Sequence, residues 1–136
     1  GMDDYIETGI QMNAKVTSEL LINTFIPNTP LHDGAVIIQN DEIKAAACYL
    51  PLSESPFISK DLGTRHRAAI GISEVTDSIT VVISEETGEI SLTNNGELHR
   101  DLTIAELKDM LASRLIKNED SQLMPNFWSK LVKKDG

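Results

Sequence analysis

The sequence predicts an α/β domain, a mixed twisted β-sheet flanked by helices. Three observations predict it. Residues 79–84 are an apolar run, hydrophobic on both faces, the pattern of a central strand covered by helices. Residues 35–39 and 42–50 are apolar stretches separated by Asn40-Asp41, a tight-turn pair, and read as a hairpin. Thr17-Ser18 and Thr103-Ile104-Ala105-Glu106 carry the side chains that start helices.

Taken in order, residues 3–16 predict a short helix or turn leading into an extended segment, because Gly9 and Asn13 interrupt any longer pattern. Thr17 or Ser18 caps a helix over 18–25, with Glu19 in its first turn and Leu20 and Leu21 on its apolar face. Pro27 and Pro30 end it. After the hairpin, Pro51, Ser53, Ser55 and Pro56 mark a surface loop carrying Phe57 and Ile58. A helix over 64–73 follows, with Ala68, Ile72 and Val75 along one face. Glu86-Thr87-Gly88 turns the chain from the central strand into residues 90–93, and Asn94-Asn95-Gly96 turns it again. The capping box at Thr103 and Glu106 opens a helix to about Leu115, with Leu107, Met110 and Leu111 inward. Residues 1–116 make the domain; residues 117–136, which hold no sustained period, are expected to form a mobile tail.

Composition narrows the partners. Of 136 residues, 40% are hydrophobic and only 4% aromatic, so the core is aliphatic. The net charge of −9 disfavours a nucleic-acid polymer or an anionic membrane surface, while a small anion can bind wherever cations concentrate. Cys48 is the only cysteine, which excludes an intramolecular disulfide and suits a reducing cytoplasm. No apolar run approaches the roughly 18–20 residues of a membrane span, and no secretory signal is visible.

Two short segments concentrate the chemistry. In Gly63-Thr64-Arg65-His66-Arg67 the arginines lie two apart, and on a regular helix they diverge by about 200°. At a helix's first turn, however, side chains and free backbone N–H groups fan around an anion on the axis. Thr64 is a good cap, Gly63 permits close approach, and a polyphosphate there meets two guanidinium forks and an imidazole. The plainer alternative is a solvated basic helix start pairing with Asp61 or Glu74.

The second segment is Leu31-His32-Asp33-Gly34-Ala35-Val36. Asp-Gly is a common turn pair, yet the hairpin already has its turn, and this pair stands at the entrance of a strand. A carboxylate there can bind a divalent ion or polarise a hydroxyl, and Gly34 and Ala35 leave room for a ribose. His32 is a further metal-ligand candidate, against the commoner structural role of a lone histidine. Ser84 and Glu86 would share a strand face, opposite Glu85, or simply end a solvated hairpin. Tyr49-Leu50 closes the hairpin, where an aromatic stacks on a base or packs into the core. Phosphate-loop and dinucleotide glycine motifs are missing, and no Cys/His spacing fits zinc. The His-Asp metal phosphohydrolases carry further helical ligands, whereas this chain has only His66 and His99 besides.

Taken together, Asp33-Gly34-Ala35 and Arg65-His66-Arg67 resemble the paired motifs of the diadenylate cyclase domain. The likeness runs from about Tyr5 to Leu115 and includes residues 31–50, 51–59, 62–69, 71–74 and 84–88. It is strongest to the membrane-anchored bacterial type, whose cyclase domain follows transmembrane helices. The chain would then be the cytoplasmic domain of a bacterial cell-membrane protein, meeting the membrane only through segments it lacks. The family's first helix and strand would also precede Gly1.

The resemblance implies condensation of two ATP into cyclic di-AMP and two pyrophosphates, with Mg²⁺, Mn²⁺ or Co²⁺. It implies that Asp33 lies near the attacking ribose 3′-hydroxyl and the metal, with Gly34 and Ala35 lining the nucleotide. Leu31, Tyr49 and Leu50 fall to the nucleotide, the last two to its adenine, and Gly63, Thr64, Arg65, His66 and Arg67 to the triphosphate. Ser84 falls to the phosphates, and Glu86 and His32 join Asp33 at the metal. One copy of each motif against a symmetric two-nucleotide product calls for a face-to-face homodimer. The alternatives are a non-catalytic adenine-nucleotide sensor and an interaction domain whose basic cluster pairs with its own acids.

Overall fold

The computed structural model describes residues 1–115; the expected mobile tail lies outside them. The α/β class stands, with four helices and six strands among these residues. The strands form two three-stranded antiparallel sheets where one mixed sheet was expected. β2–β3, β4–β5 and β5–β6 are joined by short turns and can pair only antiparallel, since parallel pairing needs a long crossover; β1 pairs antiparallel with β3 across a longer connection. The chain groups into two compact units, residues 1–49 with the segment from Lys108 onward, and residues 50–107.

In the first unit, α1 (Asp3–Ile6) leads to β1 (Ile10–Lys15), then α2 (Ser18–Thr24), β2 (Ala35–Gln39) and β3 (Glu42–Cys48). Thr17 caps α2, accepting from the Leu20 N–H at 3.0 Å. Asn40 and Asp41 both take positive φ, 52° and 65°, the two-residue turn whose twist suits a hairpin. The sheet order is β1-β3-β2. Ile43, Ala45, Ala46 and Cys48 of β3 are buried with Val16 and Ile37, so the middle strand carries the core. Burial also pushes the Cys48 thiol pKa up, and it stays a packed apolar group.

The second unit holds α3 (Thr64–Val75), β4 (Thr80–Ile83), β5 (Ile90–Asn94) and β6 (Glu97–His99), with sheet order β4-β5-β6. Two sequence expectations are corrected here. The apolar run at 79–84 was read as a central strand, but β4 is an edge strand with only Val82 buried, while β5 lies in the middle with Ser91, Leu92 and Thr93 buried. Of Ala68, Ile72 and Val75, expected along the buried face of α3, Ile72 is buried, Ala68 half-buried and Val75 exposed. His66, Ala69, Ile70 and Ser73 form an i, i+3, i+4, i+7 stripe against the sheet. Thr93 Oγ1 donates to the Ala69 carbonyl at 2.9 Å, and the Gly96 N–H donates to Ser73 Oγ at 3.1 Å.

The other side of α3 is buried too. At Gly71 a Cβ would lie 1.9 Å from the Pro51 carbonyl oxygen, so the loop after Leu50 crosses the helix where no side chain stands. Ser53 fastens that crossing: its N–H donates to the Arg67 carbonyl at 3.0 Å and its hydroxyl to Glu74 Oε2 at 3.0 Å.

The last helix, α4 (Ile104–Leu115), begins as expected. Thr103 N–H donates to Glu106 Oε1 at 2.9 Å and Glu106 N–H to Thr103 Oγ1 at 3.1 Å. These bonds to the carboxylate hold the Glu106 pKa below its ordinary value. Leu107, Met110 and Leu111 are half-buried rather than fully inward. No helix of the described residues is long and apolar enough to cross a membrane.

Candidate active site

In the first unit the Asp33 segment begins at a turn. Pro30 sits second in Thr29-Pro30-Leu31-His32, closed by the His32 N–H on the Thr29 carbonyl at 3.2 Å. The same carbonyl takes a 2.8 Å hydrogen bond from His32 Nδ1, which fixes the ring. Its Nε2 then faces Asp33 Oδ1 at 3.3 Å. With the Nδ1 proton committed to Thr29, Nε2 and Oδ1 turn lone pairs toward one another, an arrangement that suits a shared cation or proton. The Asp33 side chain is 85% exposed, open to a ligand.

Gly34 sets the approach of β2. It has φ of 109°, and a Cβ there would come within 2.8 Å of the Ala47 carbonyl carbon and the Cys48 oxygen. Ala47 itself has φ of 56°, where β3 bulges against β2. Ala35 and Leu31 are half-buried beside it. Tyr49 is exposed just past β3, its N–H held by Thr8 Oγ1 at 2.8 Å, so its ring is free of the core. Leu50 is half-buried.

In the second unit the cationic cluster starts α3. Thr64 is not the cap: Gly63 occupies that position without a side-chain hydrogen bond, and Thr64 is the first helical residue. A Cβ at Gly63 would meet nothing within 4 Å. The first-turn N–H groups are therefore left without a side-chain acceptor. Arg65 is pinned by Nη1 to the Ile83 carbonyl at 3.0 Å and by Nη2 to Glu85 Oε1 at 2.5 Å. Arg67 is half-buried and has no hydrogen bond or ion pair to its guanidinium among the described residues.

Between the two arginines stands His66, the segment's third candidate for the triphosphate. Its imidazole is buried, and Nε2 has no hydrogen-bond partner among the described residues. Burial and then the Arg100 charge lower its pKa, which favours the neutral form. Asp61 and Glu74 do not neutralise the arginines. Asp61 pairs with Arg100 at 3.2 Å, and Glu74 accepts from Ser53. Bonds from Ser59 and Arg100 hold the Asp61 pKa down, and the bonds Arg100 donates to Glu89 and Asp61 raise its own. Ser84 and Glu86 do not share a strand face either, because β4 ends at Ile83. Ser84 Oγ accepts from the Thr87 N–H at 3.3 Å inside the turn, and Glu86 is exposed there.

Sequence reasoning missed Glu85 and the Arg100–Glu89–Asp61 network, whose members meet only through the fold. It also missed Thr29, although a Thr-Pro three residues before His32 is a local turn signal. Among the described residues no three His, Cys, Asp or Glu side chains gather as a metal cage.

These features define an α/β protein with an exposed carboxylate at a strand entrance and an uncapped, basic helix start. The family described as DisA bacterial checkpoint controller nucleotide-binding matches residues 1–98, and the chain belongs to it. It is 68% identical over 136 residues to the cyclic di-AMP synthase CdaA of Bacillus subtilis (strain 168), covering all of this chain and 50% of that one. It is 72% identical over 116 residues to a diadenylate cyclase of Listeria monocytogenes, covering 85% and 42%. The chain thus spans about half the length of the curated relatives it matches. Among solved structures, a double mutant of DacA from Staphylococcus aureus superposes with TM-score 0.81 at 61% identity, covering 84% of this chain and 76% of that one. A hypothetical membrane spanning protein from Bacillus cereus superposes with TM-score 0.72 at 47% identity, covering 76% and 50%.

Proposed function

We propose that the chain is a diadenylate cyclase domain, joining two ATP into cyclic di-AMP with release of two pyrophosphates. The observation that carries this reading is the unanswered positive charge at the start of α3. Arg67 is a half-buried residue whose guanidinium has no partner among the described residues, on a helix end whose first N–H groups have no side-chain cap. A polyphosphate would take up both the unpaired charge and the free N–H groups. The names of the relatives supply the nucleotide chemistry.

In this reading Arg65, Arg67 and the α3 N–H groups hold the triphosphate and take up charge as pyrophosphate leaves. Asp33 lies by the ribose 3′-hydroxyl and orients it or accepts its proton. The hydroxyl oxygen bonds to the α-phosphorus of the other ATP as the bond to pyrophosphate breaks, and two such steps close the ring. Tyr49, exposed and unpacked, stacks on adenine. The His32 Nε2 and Asp33 Oδ1 donors suit a divalent ion, with the remaining ligands left to phosphate and water. Mg²⁺, Mn²⁺ or Co²⁺ there would polarise the phosphate and lower the hydroxyl's affinity for its proton. Each chain has one set of these residues and the product is symmetric, so two chains across a twofold axis each present one ATP. A monomer binds ATP without cyclising it. The domain is proposed to face the cytoplasm as part of a longer membrane protein.

The test is incubation with ATP and each divalent ion, followed by chromatography. Cyclic di-AMP and pyrophosphate are expected. ATP bound but returned unchanged would make the domain a sensor, and no ATP binding would remove both readings.

A further inference from the structure

Two buried polar atoms of the second unit lack partners among its described residues, His66 Nε2 and Ser91 Oγ. They are not independent. The contacts Gly96–Ser73 and Thr93–Ala69 run α3 and β5 alongside each other in step. One strand repeat before Thr93, on the same face, stands Ser91, and one helical turn before Ala69, on the same stripe, stands His66. Helical side chains lean toward the N-terminus, which carries the His66 ring toward the earlier part of β5. The charges acting on the imidazole agree: Arg100 and Glu89 are foremost, and Glu89 immediately precedes β5.

We infer that His66 is a positioning residue for the cationic start of α3, its Nε2 linked to Ser91 Oγ through one internal water. A buried hydroxyl and a buried imidazole nitrogen both lose by staying unpaired, and one water answers two such groups. The link fastens the residue between Arg65 and Arg67 to the middle strand of the sheet. The two arginines therefore project from a turn whose rotation is fixed from beneath. The role rests on the reading of α3 as the triphosphate holder; the link itself does not.

The experiment uses the full chain with ¹⁵N-labelled histidine, free of nucleotide. Ser91→Ala is expected to move the His66 Nε2 resonance and leave those of His32 and His99 in place; an unmoved His66 signal overturns the link. ATP kinetics then test positioning. His66→Leu and Ser91→Ala are each expected to raise KM roughly fivefold with kcat nearly unchanged, the double variant doing no more than either alone. His66→Gln, whose amide reaches where Nε2 does, should restore most of the KM. If His66→Leu fails to fold, Ser91→Ala, a deletion of one oxygen, decides alone. A KM unchanged in Ser91→Ala, or a loss in His66→Gln as large as in His66→Leu, overturns the positioning role. Failure of the wild type to make cyclic di-AMP would remove the proposed reaction while the resonance result still stands.

Discussion

Arg65 donates from Nη1 to the carbonyl oxygen of Ile83 at 3.0 Å, tying the first turn of α3 to the last residue of β4. Its second terminal nitrogen pairs with Glu85 at 2.5 Å, across half-exposed side chains. The carbonyl bond orients the guanidinium without cancelling its charge; the carboxylate does cancel it and so competes with an incoming phosphate. Glu85→Gln is therefore expected to tighten ATP binding about two- to fivefold, the range an exposed ion pair is worth. Calorimetric titration checks it, and weaker binding would mean that Glu85 holds Arg65 in place rather than competing with the ligand.

Asp33→Asn removes charge at nearly constant shape. With its side chain 85% exposed, the substitution should change stability by no more than about 0.5 kcal/mol. ATP binding should persist, whereas cyclic di-AMP synthesis should fall by roughly 10²–10⁴-fold if Asp33 handles the 3′-hydroxyl proton. Thermal unfolding and nucleotide chromatography on the same preparation separate the two effects; synthesis at the wild-type rate would strip Asp33 of that role.

How much of this was legible in the sequence depended on distance along the chain. The Thr17 cap, the Asn40-Asp41 turn and the Thr103–Glu106 box are decided by neighbouring residues, and all three form as read. The division into two sheets and the edge position of β4 depend on which strands pair, which the apolar content of residues 79–84 does not encode. The sheet-facing stripe of α3 was not read because two of its four members, His66 and Ser73, are polar: Ser73 bonds inside the fold to the Ile70 carbonyl and the Gly96 N–H, and His66 is buried by packing. The site shows the same limit. The Asp33 and Arg65-His66-Arg67 segments stand out as local motifs, but the Arg65–Glu85 pair spans 20 residues and the inward turn of His66 follows from packing.

The two glycines around α3 should behave oppositely. At Gly71 a Cβ would overlap the Pro51 carbonyl oxygen at 1.9 Å, a backbone atom held by the Ser53 bonds. Gly71→Ala is expected to cost about 2–3 kcal/mol or more, in the range of severe overpacking. Gly63→Ala meets open space and should leave the unfolding midpoint in place, yet lower ATP affinity where a phosphate approaches the helix end. Urea unfolding and ATP titration of both variants check this. A destabilised Gly63→Ala would show that the fold itself requires the glycine.

The buried His66 makes stability depend on pH in a definite direction. Burial lowers its folded pKa below the ordinary value of 6.5, with Arg100 and Arg65 adding to the shift and Glu89 and Asp61 opposing it. Above 6.5 neither state binds the proton, and the group contributes no slope. As pH falls below 6.5, the unfolded chain takes up a proton that the folded chain refuses, so stability declines until the lowered folded pKa is reached. The depressed Asp61 pKa acts in the same sense only at lower pH, below its ordinary 3.8. Urea midpoints taken from neutral pH down to about pH 5 should therefore fall in the wild type and flatten in His66→Gln, which cannot titrate. An equal slope in both proteins would place the proton uptake on another group.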